Sequence, residues 1–174
     1  MNNKFTEKCN EVFETQNQID FSNENFQNEF GFSVSNELKY LFSNYGGIFL
    51  KEGYELISYY HSKMADEYGI EPFLYFLSND YKNNIYTIYK QYKEFLGDNL
   101  YPIALAEGQN LICIDNKEQV YLWIHDDNQG VEKIFDSITQ MIELIGKVSV
   151  ESKLSGVIEE ESWLADDFWS GLDI

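Results

Sequence analysis

Two apolar segments, Leu111 to Asp115 and Gln119 to His125, are joined through a turn at Asn116-Lys117. A parallel crossover needs a dozen or more residues, so a connection this short makes the pair an antiparallel hairpin. Within the second segment Tyr121 and Trp123 alternate with Leu122 and Ile124, which puts large side chains on both faces and predicts an interior strand. A third strand, Leu100 to Ala104, precedes the hairpin through a turn at Glu107-Gly108. Strands linked this closely fix the sheet as mainly antiparallel.

Around that sheet the periodicity is helical. Phe5, Cys9, Val12 and Phe13 predict a first helix ending near residue 17, and Ser22 to Phe30 a second, stopped by Gly31. Leu38, Leu41, Phe42 and Tyr45 follow Ser33-Val34-Ser35 at i, i+3, i+4 and i+7, with Gly46-Gly47 as the stop. Ile48 to Lys51 and Tyr54 to Tyr59 read as strands about a Glu52-Gly53 turn, and Phe73 to Leu77 as a buried strand. Ile85, Ile88, Tyr89, Tyr92 and Leu96 mark a helix stopping at Gly97. Ile134, Phe135, Ile138, Met141, Ile142 and Ile145 predict a last one ending at Gly146. The expected fold class is α+β, a mainly antiparallel sheet flanked by helices. With 174 residues this is one domain, 1–146, followed by an acidic tail, 147–174, that carries aromatic anchors.

Charge excludes several function classes. Thirty acids face twelve basic residues, all lysines, for a formal net charge of -18. Such a chain repels a phosphate backbone and has no guanidinium to read it, so no nucleic acid is expected as a partner. Anionic lipid is disfavoured for the same reason, and no apolar run approaches the roughly 20 residues of a membrane span. The N-terminal residues lack the apolar core of a secretory leader, so the expected location is cytoplasmic. Cys9 and Cys113 have no CxxC companion and read as reduced thiols, Cys113 buried and inert between Ile112 and Ile114.

Few residues carry chemistry. His125-Asp126-Asp127 has the right types for acid-base work or metal ligation, but adjacent residues seldom converge on one ion, and the triplet reads as a solvated turn. Glu107, Asp115, Asp126 and Asp127 are strand-end carboxylates that could share one sheet edge, and the preferred reading is an acidic surface. No catalytic residue, cofactor site or metal site is expected. In the tail, Leu164, Phe168 and Leu172 recur every four residues beside Trp163 and Trp169, set among Glu159, Glu160, Glu161, Asp166 and Asp167. They either pack back on the domain or dock in a partner's groove.

Four segments then resemble a known family. Ser33-Val-Ser-Asn-Glu-Leu-Lys-Tyr-Leu-Phe-Ser-Asn-Tyr-Gly-Gly47 is similar to the helix and double glycine of the SUKH superfamily, the Smi/Knr-type group of cell-wall regulators and bacterial immunity proteins. Tyr101 to Asp115 and Val120 to Asp126 resemble its next two strand blocks, and Phe135-Asp-Ser-Ile138 its last helix opening; together they span about residues 24–145. Ser35 stands where the family usually has proline, Gln109 where it has a second glycine, and Ile138 where it has phenylalanine. The resemblance implies an α+β domain and, in the bacterial members, an immunity role: non-covalent neutralisation of a cognate toxin, often a nuclease.

The expected partner is accordingly a protein toxin with a basic surface, met by Glu107, Asp115, Asp126, Asp127 and the acids and tryptophans of the tail. The alternative is a non-enzymatic regulatory or scaffolding module that binds an endogenous partner.

Overall fold

The computed structural model describes residues 3–14, 21–56, 63, 75–76, 84–125 and 130–147 of the 174. Outside them lie the expected extension of the first helix to residue 17, most of the strands expected over 54–59 and 73–77, Asp126, Asp127 and the tail from residue 148. The element order is α1 (Asn3–Val12), α2 (Asn23–Phe30), α3 (Asn36–Tyr45), β1 (Tyr54–Leu56), β2 (Tyr75–Phe76), α4 (Ile85–Leu96), β3 (Tyr101–Leu105), β4 (Leu111–Ile114), β5 (Val120–Trp123), β6 (Val131–Phe135), α5 (Ile138–Glu143) and β7 (Ile145–Lys147). Strands β2-β3-β4-β5-β6 form one sheet and β1-β7 a second, every pairing antiparallel. This is the α+β fold expected.

The hairpin organises the large sheet. Leu111 pairs with Trp123 and Ile114 with Val120, and β5 lies between β4 and β6, as its two-sided apolar pattern required. Directly opposed residues share a face. Leu111, Trp123 and Val131 therefore line one side, and Ile112 and Leu122 the other. Leu111, Ile112, Leu122 and Trp123 are all buried, so both sides of the middle strands are covered. α4 packs against β3 and lays Tyr92 and Phe95 on Trp123, while α1 and α3 pack against α5.

Two helices start on the expected signals, and α4 starts on a cap that was not among them. Ser22 Oγ accepts the Asn25 N–H and Ser35 Oγ the Leu38 N–H, each satisfying a donor that a helix start leaves orphaned. Gly31 closes α2 at φ 80°, a left-handed conformation that a Cβ would oppose. Asn84 caps α4 through the Thr87 N–H.

Two expectations are corrected. α1 stops at Val12, because the Val12 carbonyl accepts the Lys51 N–H (2.8 Å), the Asn10 carbonyl accepts Lys51 Nζ (2.8 Å), and Phe13 bridges Leu50. That isolated bridge stands where a strand over 48–51 was expected. The last helix is shorter: Ile134 and Phe135 belong to β6 and Ile145 and Gly146 to β7, leaving α5 as a turn and a half between. The apolar stripe recorded burial correctly, since Phe135, Ile138, Met141, Ile142 and Ile145 are all buried. Conformation was decided by partners, because β5 hydrogen-bonds β6 and β1 hydrogen-bonds β7.

Both hairpin turns are held by side chains. Between β4 and β5, Asp115 Oδ1 accepts the N–H groups of Lys117 and Gln119, both at 2.9 Å, and Glu118 reaches from this turn to accept the Ser35 N–H at the start of α3. Between β3 and β4, Gly108 (φ 67°) and Gln109 (φ 66°) are both left-handed, and the Glu107 carbonyl accepts the Asn110 N–H, the pattern of a primed hairpin turn. Asn110, only 6% exposed, donates Nδ2–H to the Glu107 carbonyl and accepts the His125 N–H on Oδ1 at 2.8 Å. It ties the start of β4 to the chain leaving β5.

These arrangements set three expectations. Gln109→Gly removes a left-handed side-chain cost of about 1–2 kcal/mol and adds about 0.5–1 kcal/mol of unfolded-state entropy, so urea denaturation should show a net gain of up to about 1 kcal/mol. Asn110→Leu strips the His125 N–H of its acceptor and should lose about 1–3 kcal/mol in the same measurement. Burial raises the Cys9 thiol to about 12 and the Cys113 thiol further, so the native protein should resist a thiol reagent at mildly alkaline pH until denaturant is added. A raised folded-state pKa means that the thiols' stability contribution is full below the unfolded value. It is lost as pH climbs from there toward 12, so urea midpoints should fall across that interval.

Candidate functional site

Of the sequence-derived acids, Glu107 and Asp115 do not share one edge. Glu107 lies in the turn before β4 and Asp115 at the end of β4, with roughly 15 Å of strand between the two turns. Glu107 is exposed. Asp115 is half-buried and its carboxylate belongs to the turn: Oδ1 holds two backbone N–H groups, and Oδ2 accepts the Tyr121 hydroxyl at 3.3 Å. Asp126, Asp127, Glu159, Glu160, Glu161, Trp163, Asp166, Asp167 and Trp169 lie outside the described residues.

His125 is exposed at the end of β5, and its ring is part of a packing arrangement. It stands edge-on to Trp123 (6.0 Å between centroids, 88°) and to Tyr92 (5.9 Å, 84°). Its backbone N–H is the one held by Asn110, so the residue is positioned at both ends. Among the described residues, no three His, Cys, Asp or Glu side chains stand close enough together to hold a metal ion. No helix among them is long and apolar enough to cross a membrane.

What the fold does assemble is an aromatic corner. Trp123, 3% exposed, forms its floor and packs against Tyr92 at 5.3 Å and Phe95 at 6.3 Å, both from α4. Phe95 is 58% exposed, and Val131, opposite Trp123 on β6, is 41% exposed. Two of the four exposed large hydrophobic residues described thus flank one buried tryptophan. Three short elements fix the group: the last turns of α4, the end of β5 and the start of β6.

The charge around the corner is net acidic. Lys93 on α4 lies 3.7 Å from Asp98 and over the Tyr89 ring, and Lys90 lies 3.8 Å from Glu29. Lys133 on β6 pairs with Asp136 at 2.7 Å, which raises its pKa and keeps it protonated. Each lysine of the two framing elements therefore has a carboxylate beside it. Glu94, next to Phe95, and Glu107, linked through Asn110 to His125, are exposed acids of the same neighbourhood.

Sequence reasoning missed Phe95 and Val131 as surface residues. A signal for Phe95 was present. It falls on the flank of the α4 stripe, beside Leu96, and an aromatic side chain off the buried stripe faces solvent. Val131 had no comparable signal, because its exposure depends on β6 being an outer strand of the sheet.

Comparison with known proteins bears on the fold that carries this corner. No curated protein and no solved structure matches the chain. The model of the SMI1 / KNR4 family (SUKH-1) matches residues 15–144. That stretch runs from before α2 to the end of α5 and contains the whole five-stranded sheet, about three quarters of the sequence. A match of that extent, over the very elements that build the hairpin and its turns, places the chain in the SMI1 / KNR4 family (SUKH-1).

Proposed function

We propose that this chain is an immunity protein that neutralises a cognate protein toxin by tight non-covalent binding. Family membership supports a general immunity-like or regulatory role. The observation that carries the finer reading is the net charge of -18 on a chain without a single arginine. A toxin that acts on nucleic acid needs a basic groove to hold phosphate, and an acidic inhibitor meets such a groove with side-chain carboxylates. The same field that repels a polyanion draws in a basic protein and accelerates the encounter.

Binding, not catalysis, accounts for the groups on view. His125 is a packing residue, the Asp115 carboxylate is occupied by a turn, and the buried thiols of Cys9 and Cys113 are held protonated. The exposed chemistry is aromatic and acidic, which suits recognition of a basic protein surface.

The test is protection. Cells expressing the C-terminal toxin domain of a secreted protein encoded beside this gene should survive only when this chain is co-produced, and the two proteins should co-purify. Association should slow by about tenfold or more as salt is raised to screening levels, with dissociation changing less. Absence of both protection and complex formation would remove the proposal.

A further inference from the structure

We propose that the corner of Phe95, Trp123, His125 and Val131 is the surface on which this chain docks a basic polypeptide, with a lysine or arginine side chain lying against the exposed Phe95 ring. The proposal takes the partner's being a protein from the neutralisation reading, and the place of docking from the chemistry of the corner itself.

Three observations converge. Phe95 and Val131 keep large apolar side chains in water on either side of Trp123, the arrangement of an interface anchor awaiting cover. The floor beneath is already ordered: Trp123 is paired in β5, His125 is held by Asn110, and Tyr92 packs on both rings, so docking costs little side-chain entropy. The neighbourhood also has a sign. Lys90, Lys93 and Lys133 each stand beside a carboxylate, and Glu94 and Glu107 are exposed. A cation is attracted to an aromatic face, and acids around that face strengthen the attraction.

Charge also decides between occupants. A second copy of the chain would bring another -18 to the corner. The chain's own segment 151–174 carries seven acids against one lysine. Both are repelled by the exposed acids, whereas a basic polypeptide is attracted. The basic polypeptide is therefore the occupant that this surface fits.

The experiment uses the isotope-labelled full chain and, as probe, a short peptide of alternating arginine and glycine. Amide signals of Phe95, His125 and Val131 and the indole signal of Trp123 should shift on titration, and Phe95→Ala should weaken binding about fivefold while the rest of the spectrum stays native. Val131→Ser should weaken it in the same direction. Shifts spread evenly over the acidic surface, or confined to the indoles of Trp163 and Trp169, would overturn the proposal. So would a Trp123 indole signal that moves, without peptide, in the Trp163→Ala/Trp169→Ala chain, because the tail would then be the occupant. A dimer abolished by Phe95→Ala would overturn it in favour of a second copy. In the protection assay, a Phe95→Ala chain that protects as well as the natural one overturns the corner and leaves neutralisation standing. A natural chain that never protects, yet still takes the peptide at Phe95, overturns neutralisation and leaves the corner standing.

Discussion

The β4-β5 hairpin is the constraint on which the other elements depend. All four β4 residues are completely buried, and Val120, Leu122 and Trp123 of β5 are nearly so, which means that both faces and both edges of this pair must be covered. Each such side chain contributes about 1.5–3 kcal/mol when fully buried, so exposing even one face would erase most of a typical domain's stability. Strands β3 and β6 satisfy the two edges, and α4 covers the side that carries Trp123. The turns then bind the hairpin to the remainder. Glu118 reaches the start of α3, and Asn110 fixes the chain leaving β5.

A core this aromatic coexists with a net charge of -18 because the charges stay outside it and, among the described residues, the buried polar tips other than the Tyr86 hydroxyl are satisfied. Phe30 is the hinge of the packing: it stacks on Tyr86 at 5.5 Å and meets Tyr89 and Tyr101 edge-on at about 5 Å, so α2, α4 and β3 share one cluster. The Tyr89 hydroxyl donates to the Gly97 carbonyl and the Tyr101 hydroxyl to the Asp98 carbonyl, so rings enter the interior without stranding their hydroxyls. Burial raises the pKa of both, which keeps them neutral. Asn110 is the one buried polar residue among those described, and its amide is used at both ends.

The acids divide by role, and the division matters for function. Asp115 and Glu118 are structural: their carboxylates replace backbone partners at a turn and at a helix start. Glu94 and Glu107 are exposed beside the aromatic corner. An undifferentiated acidic surface would attract any basic protein. On the proposed docking, an apolar anchor within an acidic rim would select among them, because only a partner that also matches the Phe95-Val131 shape would gain the burial energy.

Sequence by itself determined the antiparallel hairpin, the helices capped by Ser22 and Ser35, the α4 stripe and the burial of nearly every stripe residue. These follow from chain length between apolar runs and from local capping, which are properties of neighbours in sequence. It also determined the net charge of -18, which needs no fold. Only the tertiary structure decided that α1 ends at Val12 and that the apolar stretch from Ile134 to Ile145 is strand, helix and strand. The reason is common to both. Lys51 and β1 lie far in sequence from the segments they bind, β5 lies outside the stripe, and the hydrogen bonds they offer outweigh a local periodicity that reports which side chains are buried but not which backbone partners they find. The aromatic corner belongs to the same class, because Phe95, Trp123 and Val131 meet only when α4 crosses the sheet beside its outer strand.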